Sequence, residues 1–303
     1  MALSGGDRTW MVYQAPPVWD GSKYVDGERF FLSGHNSYFR DQGIDLARSI
    51  TGLERETVEY RYNQSANQAG ASYQGSIPDK REIGCSVNIV GDSPAEARRN
   101  KRRWMAAHPD DNPGKLWVFT SDGPPRYLPV LKSPTAGQST IDIDPGEYPF
   151  GYRDWEWGWV STDAYFRGYQ STRELKHRGG NVFATTFYND STVPQVYPML
   201  FLPGPGSWTV SLGWNQATFT TPTIPRGSTA RLSFDPLDPS FILRNDTTKV
   251  KTNLWPTLEG NRPKFSLEAE TKNTISILLT GRASDFTDNP PRLVYTPRYH
   301  SWM

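Results

Sequence analysis

Between Arg153 and Val160 the chain reads Arg-Asp-Trp-Glu-Trp-Gly-Trp-Val. The two-residue period of a strand puts Trp155, Trp157 and Trp159 on one face and Asp154, Glu156 and Gly158 on the other. Three indoles on one face need a cover that a lone hairpin cannot supply. The strand therefore predicts a sheet packed against a second layer or against a neighbouring subunit. Beyond Val160 the alternation stops: Ser161-Thr162-Asp163-Ala164 is rich in turn formers. The charged run from Arg173 to Arg178, ended by Gly179-Gly180, reads as a domain exit and linker.

With 303 residues, the chain is long enough for two cores of ordinary size, one on each side of that exit: residues 1–168 and 169–303. Apolar residues make up 36%, aromatics 13%, and there are 26 glycines and 25 prolines, a balance that favours many short strands and tight turns over helices. The net charge of +1 lacks the electrostatic footprint of a nucleic-acid binder, so any basic patch is local. Cys85 is the single cysteine, which excludes an intrachain disulfide and a cysteine-based zinc site and suits a reducing compartment. The first residues show no apolar run after a charged start, and no segment approaches the roughly 20 apolar residues of a membrane span. A soluble protein without a membrane partner is expected. Asn63, Asn189 and Asn245 stand in glycosylation sequons, which carry little weight without a signal peptide.

In chain order, the first 40 residues mix aromatics with glycine turns and read as short strands or an extended arm. Residues 57–62 and 81–90 alternate clearly, with Ile83, Cys85, Val87 and Ile89 on one face of the second run, so Cys85 is expected in the core. Residues 63–80 are polar and too long for a tight hairpin, and predict an exposed excursion suited to contacts between subunits, with Asn63, Gln68 and Tyr73 as candidates. Ser93-Pro94-Ala95-Glu96 then opens a helix by a capping box, serine at N-cap, proline at N1 and glutamate at N3. It should run to about residue 107, anchored on a sheet by Trp104, with Arg98, Arg99, Lys101, Arg102 and Arg103 over most of its remaining surface. Residues 115–120 and 126–132 are strands joined by a turn at Asp122-Gly123. After Gly180, ten strand-like runs recur at short spacing without an intervening helical pattern, as in a sandwich or jelly roll.

The order of strand, Ser-Pro-Ala-Glu-Ala helix rich in arginine, Gly114-Lys-Leu-Trp-Val hairpin, aromatic strand and Ser161-Thr-Asp-Ala-Tyr-Phe-Arg-Gly168 exit resembles the distal tail proteins of long-tailed, non-contractile phages, the Dit-like minor tail proteins of siphophages. Tyr197-Pro-Met-Leu-Phe-Leu-Pro-Gly204, Ile224-Pro-Arg-Gly227 with Leu232-Ser-Phe-Asp235, and Tyr295-Thr-Pro-Arg-Tyr-His-Ser-Trp302 are similar to that family's second, galectin-like domain. Residues 63–80 depart from it, replacing a shorter glycine-rich loop, as does the aromatic arm at the start. The resemblance implies a mainly β fold: a ring-forming β-sandwich with one packed helix, followed by a galectin-like jelly roll. It also implies a virion protein without enzyme activity, assembled in the host cytoplasm and placed at the distal end of the tail. Its partners would be copies of itself in a homohexameric ring, the tail tube protein, the tail tip or baseplate hub protein and the tape measure protein, with DNA passing through unbound. The alternative is a carbohydrate-binding, lectin-like protein of the tail tip.

No constellation carries catalysis, and neither a cofactor nor a metal is expected. His35, His108, His177 and His300 are scattered, each beside loop signals and without a spaced partner. Asp142, Asp144 and Glu147 offer a loose set of oxygen ligands but lack the ligand ladder of an EF-hand, and read as a strand end and proline turn. The helix cations read first as a solvated face complementing the dipole, next as ion pairs to a neighbouring subunit through Arg98 and Arg102, and last as a nucleic-acid contact. Trp208, Trp214 and Trp255 are candidates for a sugar or partner contact, weighed against burial in the sandwich.

Overall fold

The structure, a computed structural model, describes residues 9–34, 42–47, 50–64, 69–134, 136–137, 151–211, 218–236, 238–258, 265–280, 286 and 289–303. The chain divides into two compact units, residues 1–168 with 299–303 and residues 169–298. Both are β-sandwiches, and the second is of the jelly-roll kind. The last five residues, grouped by sequence with the second half, thus fall with the first.

In the first unit one nine-stranded sheet carries the order Arg29–Ser33, Trp10–Gln14, Gly114–Phe119, Arg126–Lys132, Gly151–Ser161, Arg81–Val90, Ile44–Leu46 along its main path. The sheet turns at Arg126–Lys132. Residues 126–130 pair with Gly114–Phe119, whereas Leu131 and Lys132 pair with Val160 and Trp159. The fold-over brings Tyr13 from one half against Trp159 from the other, ring centroids 5.9 Å apart. Trp155, Trp157 and Trp159 are all buried, and so are Ile83, Cys85, Val87 and Ile89 on the neighbouring strand. A bulge between Tyr152 and Trp155, with Asp154 at φ 49°, sets the phase that turns the indoles inward.

The cover for these indoles comes from within the chain. Helix Pro94–Ala106 lays Trp104 edge-on to Trp157 at 5.4 Å, and His108 sits edge-on to Trp157 at 4.8 Å and stacks on Tyr13 at 3.9 Å. Gly137, at φ 75°, closes the layer from outside: a Cβ there would meet Cζ2 of Trp155 at 3.0 Å. The helix start differs from the expected box in one bond. Ser93 accepts the N–H of Glu96 at 3.2 Å, but the Glu96 carboxylate takes the N–H of Asp92 at 2.9 Å rather than that of the N-cap.

The second unit packs two sheets around a core that includes Trp208, Leu200, Leu232, Phe241, Ile277 and Leu293. One sheet has the order Ser171–Glu174, Arg292–Tyr295, Met199–Pro203, Ser228–Ser233, Ser240–Asn245, Lys251–Asn253. The other runs Lys176–Gly179, Val182–Asn189, Thr271–Thr280, Ser207–Ser211, Phe219–Thr220. The charged run expected as a linker is two strands, Ser171–Glu174 and Lys176–Gly179, one at an edge of each sheet. Edge strands accommodate such charge because their outer side is solvated, and the charge blocks unwanted pairing. Residues 265–270, part of one of the ten strand-like runs expected after Gly180, contribute among the described residues only an isolated bridge, Val196 to Leu267.

Candidate assembly surface

The polar stretch after residue 63 is not a plain excursion. Ser72–Pro78 returns antiparallel to Val58–Asn63, and the two form a ribbon that pairs with no other described strand. The run 57–62, read from its alternation as a strand, is thus one edge of this hairpin. A register shift between Arg61 and Tyr62 brings Tyr73 opposite Tyr62, so Tyr60, Tyr62 and Tyr73 form one aromatic face, with ring centroids 6.2 Å (Tyr60–Tyr73) and 6.0 Å (Tyr62–Tyr73) apart. These three rings are 59%, 62% and 58% exposed, and Asn63 is exposed beside them. Gln68 lies outside the described residues.

A smaller ribbon repeats the pattern. Among the described strands Val18–Trp19 pairs only with Tyr24–Val25, around a turn in which the Asp20 carboxylate accepts the N–H groups of Ser22 and Lys23 at 2.8 Å each. Those bonds hold the Asp20 carboxyl below its usual range. Trp19 and Tyr24 meet edge-on at 5.2 Å, both more than half exposed. Of the 14 large apolar side chains that are exposed among the described residues, eight stand on these two ribbons: Val18, Trp19, Tyr24, Val25, Tyr60, Tyr62, Tyr73 and Ile77. A two-stranded ribbon is marginal alone in water, and a concentration of exposed apolar area on two of them marks contact surface rather than scatter.

The helix cations divide. Lys101 lies over Tyr152 and Trp155 at 4.2 and 4.8 Å, and burial lowers its pKa. Arg103 pairs with Glu28 at 2.6 Å and covers the Phe30 ring at 5.3 Å. Arg98, Arg99 and Arg102 remain exposed, Arg99 pairing with Glu96 at 3.2 Å and Arg102 returning to the Arg98 carbonyl at 3.4 Å. The one-sided outer set, Arg98 and Arg102, could be separated from Lys101 and Arg103 by helical phase alone, since Lys101 and Arg103 fall toward the Trp104 side.

Residues 299–303 are strapped onto the first unit by two arginines. Arg81, 1% exposed, donates to the carbonyls of Gly52, Leu53, Ala164 and His300 at 2.8 to 3.1 Å, lies 3.8 Å from the Glu56 carboxylate, and has the Phe166 ring 5.1 Å away. Burial lowers its pKa against the opposing pull of Glu56 and Asp163. His300 pairs with Glu56 at 2.8 Å, and Arg126 donates to the carbonyls of Ser301 and Met303 while lying 4.0 Å over Tyr299. No sequence signal marked Arg81, because its partners are backbone carbonyls far away in the chain.

The tryptophan candidates separate in the same way. Trp208 is fully buried, its Nε1–H donating to the Pro203 carbonyl at 2.9 Å, and presents no face to a sugar. Trp255 stands in the one-turn 3-10 helix Trp255–Leu258, partly buried against the core, while Trp214 lies outside the described residues. His108 is a buried core group: its Nδ1–H donates to the Trp104 carbonyl at 2.7 Å. His177 contacts the Gly180 carbonyl and Phe183. His35 and the Asp142, Asp144, Glu147 set fall outside the described residues.

Two sandwiches, the first carrying a helix and aromatic ribbons, make a fold shared with solved proteins of phage tails and baseplates. The chain covers the Dit (gp 19.1) protein of phage SPP1, described as a paradigm of hub adsorption apparatus in Gram-positive infecting phages, with 96% of its own length and 99% of that chain, a TM-score of 0.57 and 12% identity. A chain of the phage P2 baseplate in its activated conformation is matched over 96% of this chain and 98% of that one, with a TM-score of 0.50 and 9% identity. In sequence, the chain is 33% identical over 122 residues to the minor tail protein Gp27 of Mycobacterium phage D29, a match spanning 38% of this chain and 35% of that protein. No family model matches the chain.

Proposed function

We propose that this chain is a structural, non-enzymatic protein of a phage tail: a distal adaptor that assembles on itself as a ring, joins the tail tube to the tail tip or baseplate, and leaves a passage for DNA. The observation that carries this reading is the equivalence of fold with SPP1 Dit along essentially the whole of both chains. The sequence match to a minor tail protein supports the same placement in the virion. Fold alone does not give function, so the reading also rests on surface chemistry. The tyrosine ribbon supplies an apolar contact for a neighbouring copy, with Asn63 and Tyr73 in it. Arg98 and Arg102 supply cations for acidic groups on an adjacent subunit, which in a closed ring are repeated at every interface. A hexamer is the expected closure, with the tube, hub and tape measure proteins as its further partners. Passage of DNA requires a bore without a fixed lattice of cations, since each neutralised phosphate adds affinity that retards sliding.

Electron micrographs of the purified chain test this. Rings with an open centre are expected, persisting on dilution into the micromolar range. Particles that stay monomeric at every concentration, or filaments without closure, contradict it.

A further inference from the structure

The two outer faces of the second unit differ in chemistry. On the five-stranded sheet the outward side chains include Thr186, Thr274, Thr209 and Thr220, whose hydroxyls pair across strands at 3.0 Å. That face also carries exposed Lys176 and Lys272, opposite Ala184 and Tyr188. On the six-stranded sheet, Leu200, Ala230, Phe241 and Leu293 point into the core, so Phe201, Arg231, Ile242 and Arg292 point out. Register places these four in one row across adjacent strands: Arg292, Phe201, Arg231, Ile242.

Two flanking rows complete the pattern. On one side Met199 stands opposite Val294, an apolar margin. On the other Arg244 stands opposite Lys251, both exposed. Arg292 is also exposed, and none of Arg244, Lys251 and Arg292 forms an ion pair among the described residues. Arg231 donates to the Ser240 hydroxyl at 3.3 Å. Two carboxylates stand at the margins: Glu174 opposite Arg292, and Asp246, which accepts the Thr229 hydroxyl at 3.0 Å. Four cations interleaved with half-buried Phe201, Met199 and Ile242 make a surface that is cationic and apolar at once.

We infer that this face docks an acidic amphipathic helix of a partner protein, a docking role that rests on the tail-adaptor reading above. Charge complementarity sets the sign. Spacing sets the form: neighbouring strands lie about 4.8 Å apart, so Arg292 and Arg231 are about 10 Å apart with Phe201 between them. A helix advances about 10.5 Å in seven residues, so carboxylates at i and i+7 meet the two arginines while an apolar residue at i+3 or i+4 meets Phe201. Interleaved apolar side chains favour such a helix over a phosphate polymer, which has nothing to place on Phe201 and Ile242.

The test uses the full chain and a synthetic helical peptide with Glu at i and i+7 and Leu at i+3 and i+4, followed by fluorescence anisotropy. Saturable binding is expected, weakened about tenfold when the peptide's Glu residues become Gln, when Arg244→Glu and Lys251→Glu are combined, or when Phe201→Ala is introduced. Arg244 and Lys251 are exposed, so their reversal leaves the fold intact. Absence of saturable binding below about 1 mM, equal binding of the Gln peptide, or displacement by inorganic polyphosphate with no effect of Phe201→Ala each overturns the proposal. The mass of the same samples separates the two readings. Rings that fail to bind the peptide sink the docking face alone, and a monomer that binds it sinks the ring alone.

Discussion

Strands Val58–Asn63 and Gly151–Ser161 carry the same signal, an aromatic side chain at every second position, and end in opposite environments. Trp155, Trp157 and Trp159 are buried in a layer with Trp104, His108 and Tyr13, whereas Tyr60 and Tyr62 are about 60% exposed, with Tyr73 as their ring neighbour among the described residues. The difference lies in what pairs with each strand. Gly151–Ser161 is flanked by Arg81–Val90 and Arg126–Lys132 inside a sheet that folds over, while Val58–Asn63 has, among the described strands, Ser72–Pro78 as its one partner. Periodicity reports that one face of a strand is to be covered; whether the cover belongs to the same chain is decided by tertiary structure.

This contrast can be broken first at its buried end. Trp159→Ala removes a fully buried indole from the junction of the two halves of the sheet and should cost about 3 to 5 kcal/mol, read as a drop in the urea midpoint at unchanged slope. A loss under about 1 kcal/mol would show that the indole layer is not what holds the first unit. Arg81→Met is next. It strips four carbonyls and Glu56 of their shared donor and should cost about 3 kcal/mol, with residues 299–303 becoming accessible to carboxypeptidase. Resistance of those residues to digestion in the variant would show that the strap is held without Arg81.

The same layer should make the first unit sensitive to acid. Burial pushes the His108 imidazole down to about 3, against the opposing pull of its hydrogen bond to the Trp104 carbonyl. A base with a depressed folded pKa contributes stability that is full above its unfolded value, near 6.5, and declines as pH falls toward the folded value. Between pH 7 and 5 this amounts to about 2 kcal/mol, largely above the range where carboxylates titrate. His108→Phe, which keeps the stack on Tyr13, should flatten that slope; an unchanged slope would assign it elsewhere. At the small end, the Cys85 thiol, pushed up to about 12 by burial, should stay unreactive toward a disulfide reagent until the unit unfolds. Stoichiometric labelling at neutral pH in the native state would place it outside the core.

Much of the core was readable from the sequence for local reasons. The strand Arg81–Val90, the tryptophan face and the N-cap at Ser93 follow from period and cap chemistry, which act within a few residues. What the sequence hid depends on distant partners. Polar Ser72–Pro78 is a strand because Val58–Asn63 pairs with it, and charged Ser171–Glu174 is a strand because an edge position tolerates its charges. The cationic row on the second unit is likewise invisible in order, since Phe201, Arg231, Ile242 and Arg292 are brought side by side only by register.

The central claim is that the tyrosine ribbon is covered by another copy of the chain. Sedimentation of the wild type beside the triple variant Tyr60→Ser, Tyr62→Ser, Tyr73→Ser, with thermal unfolding followed on the same samples, tests it most directly. The account predicts a ring mass for the wild type and a monomer mass for the variant, with the fold of the monomer kept to within about 1 kcal/mol because those rings contribute little to its own core. A variant that assembles as the wild type does, or one that unfolds outright, would contradict it.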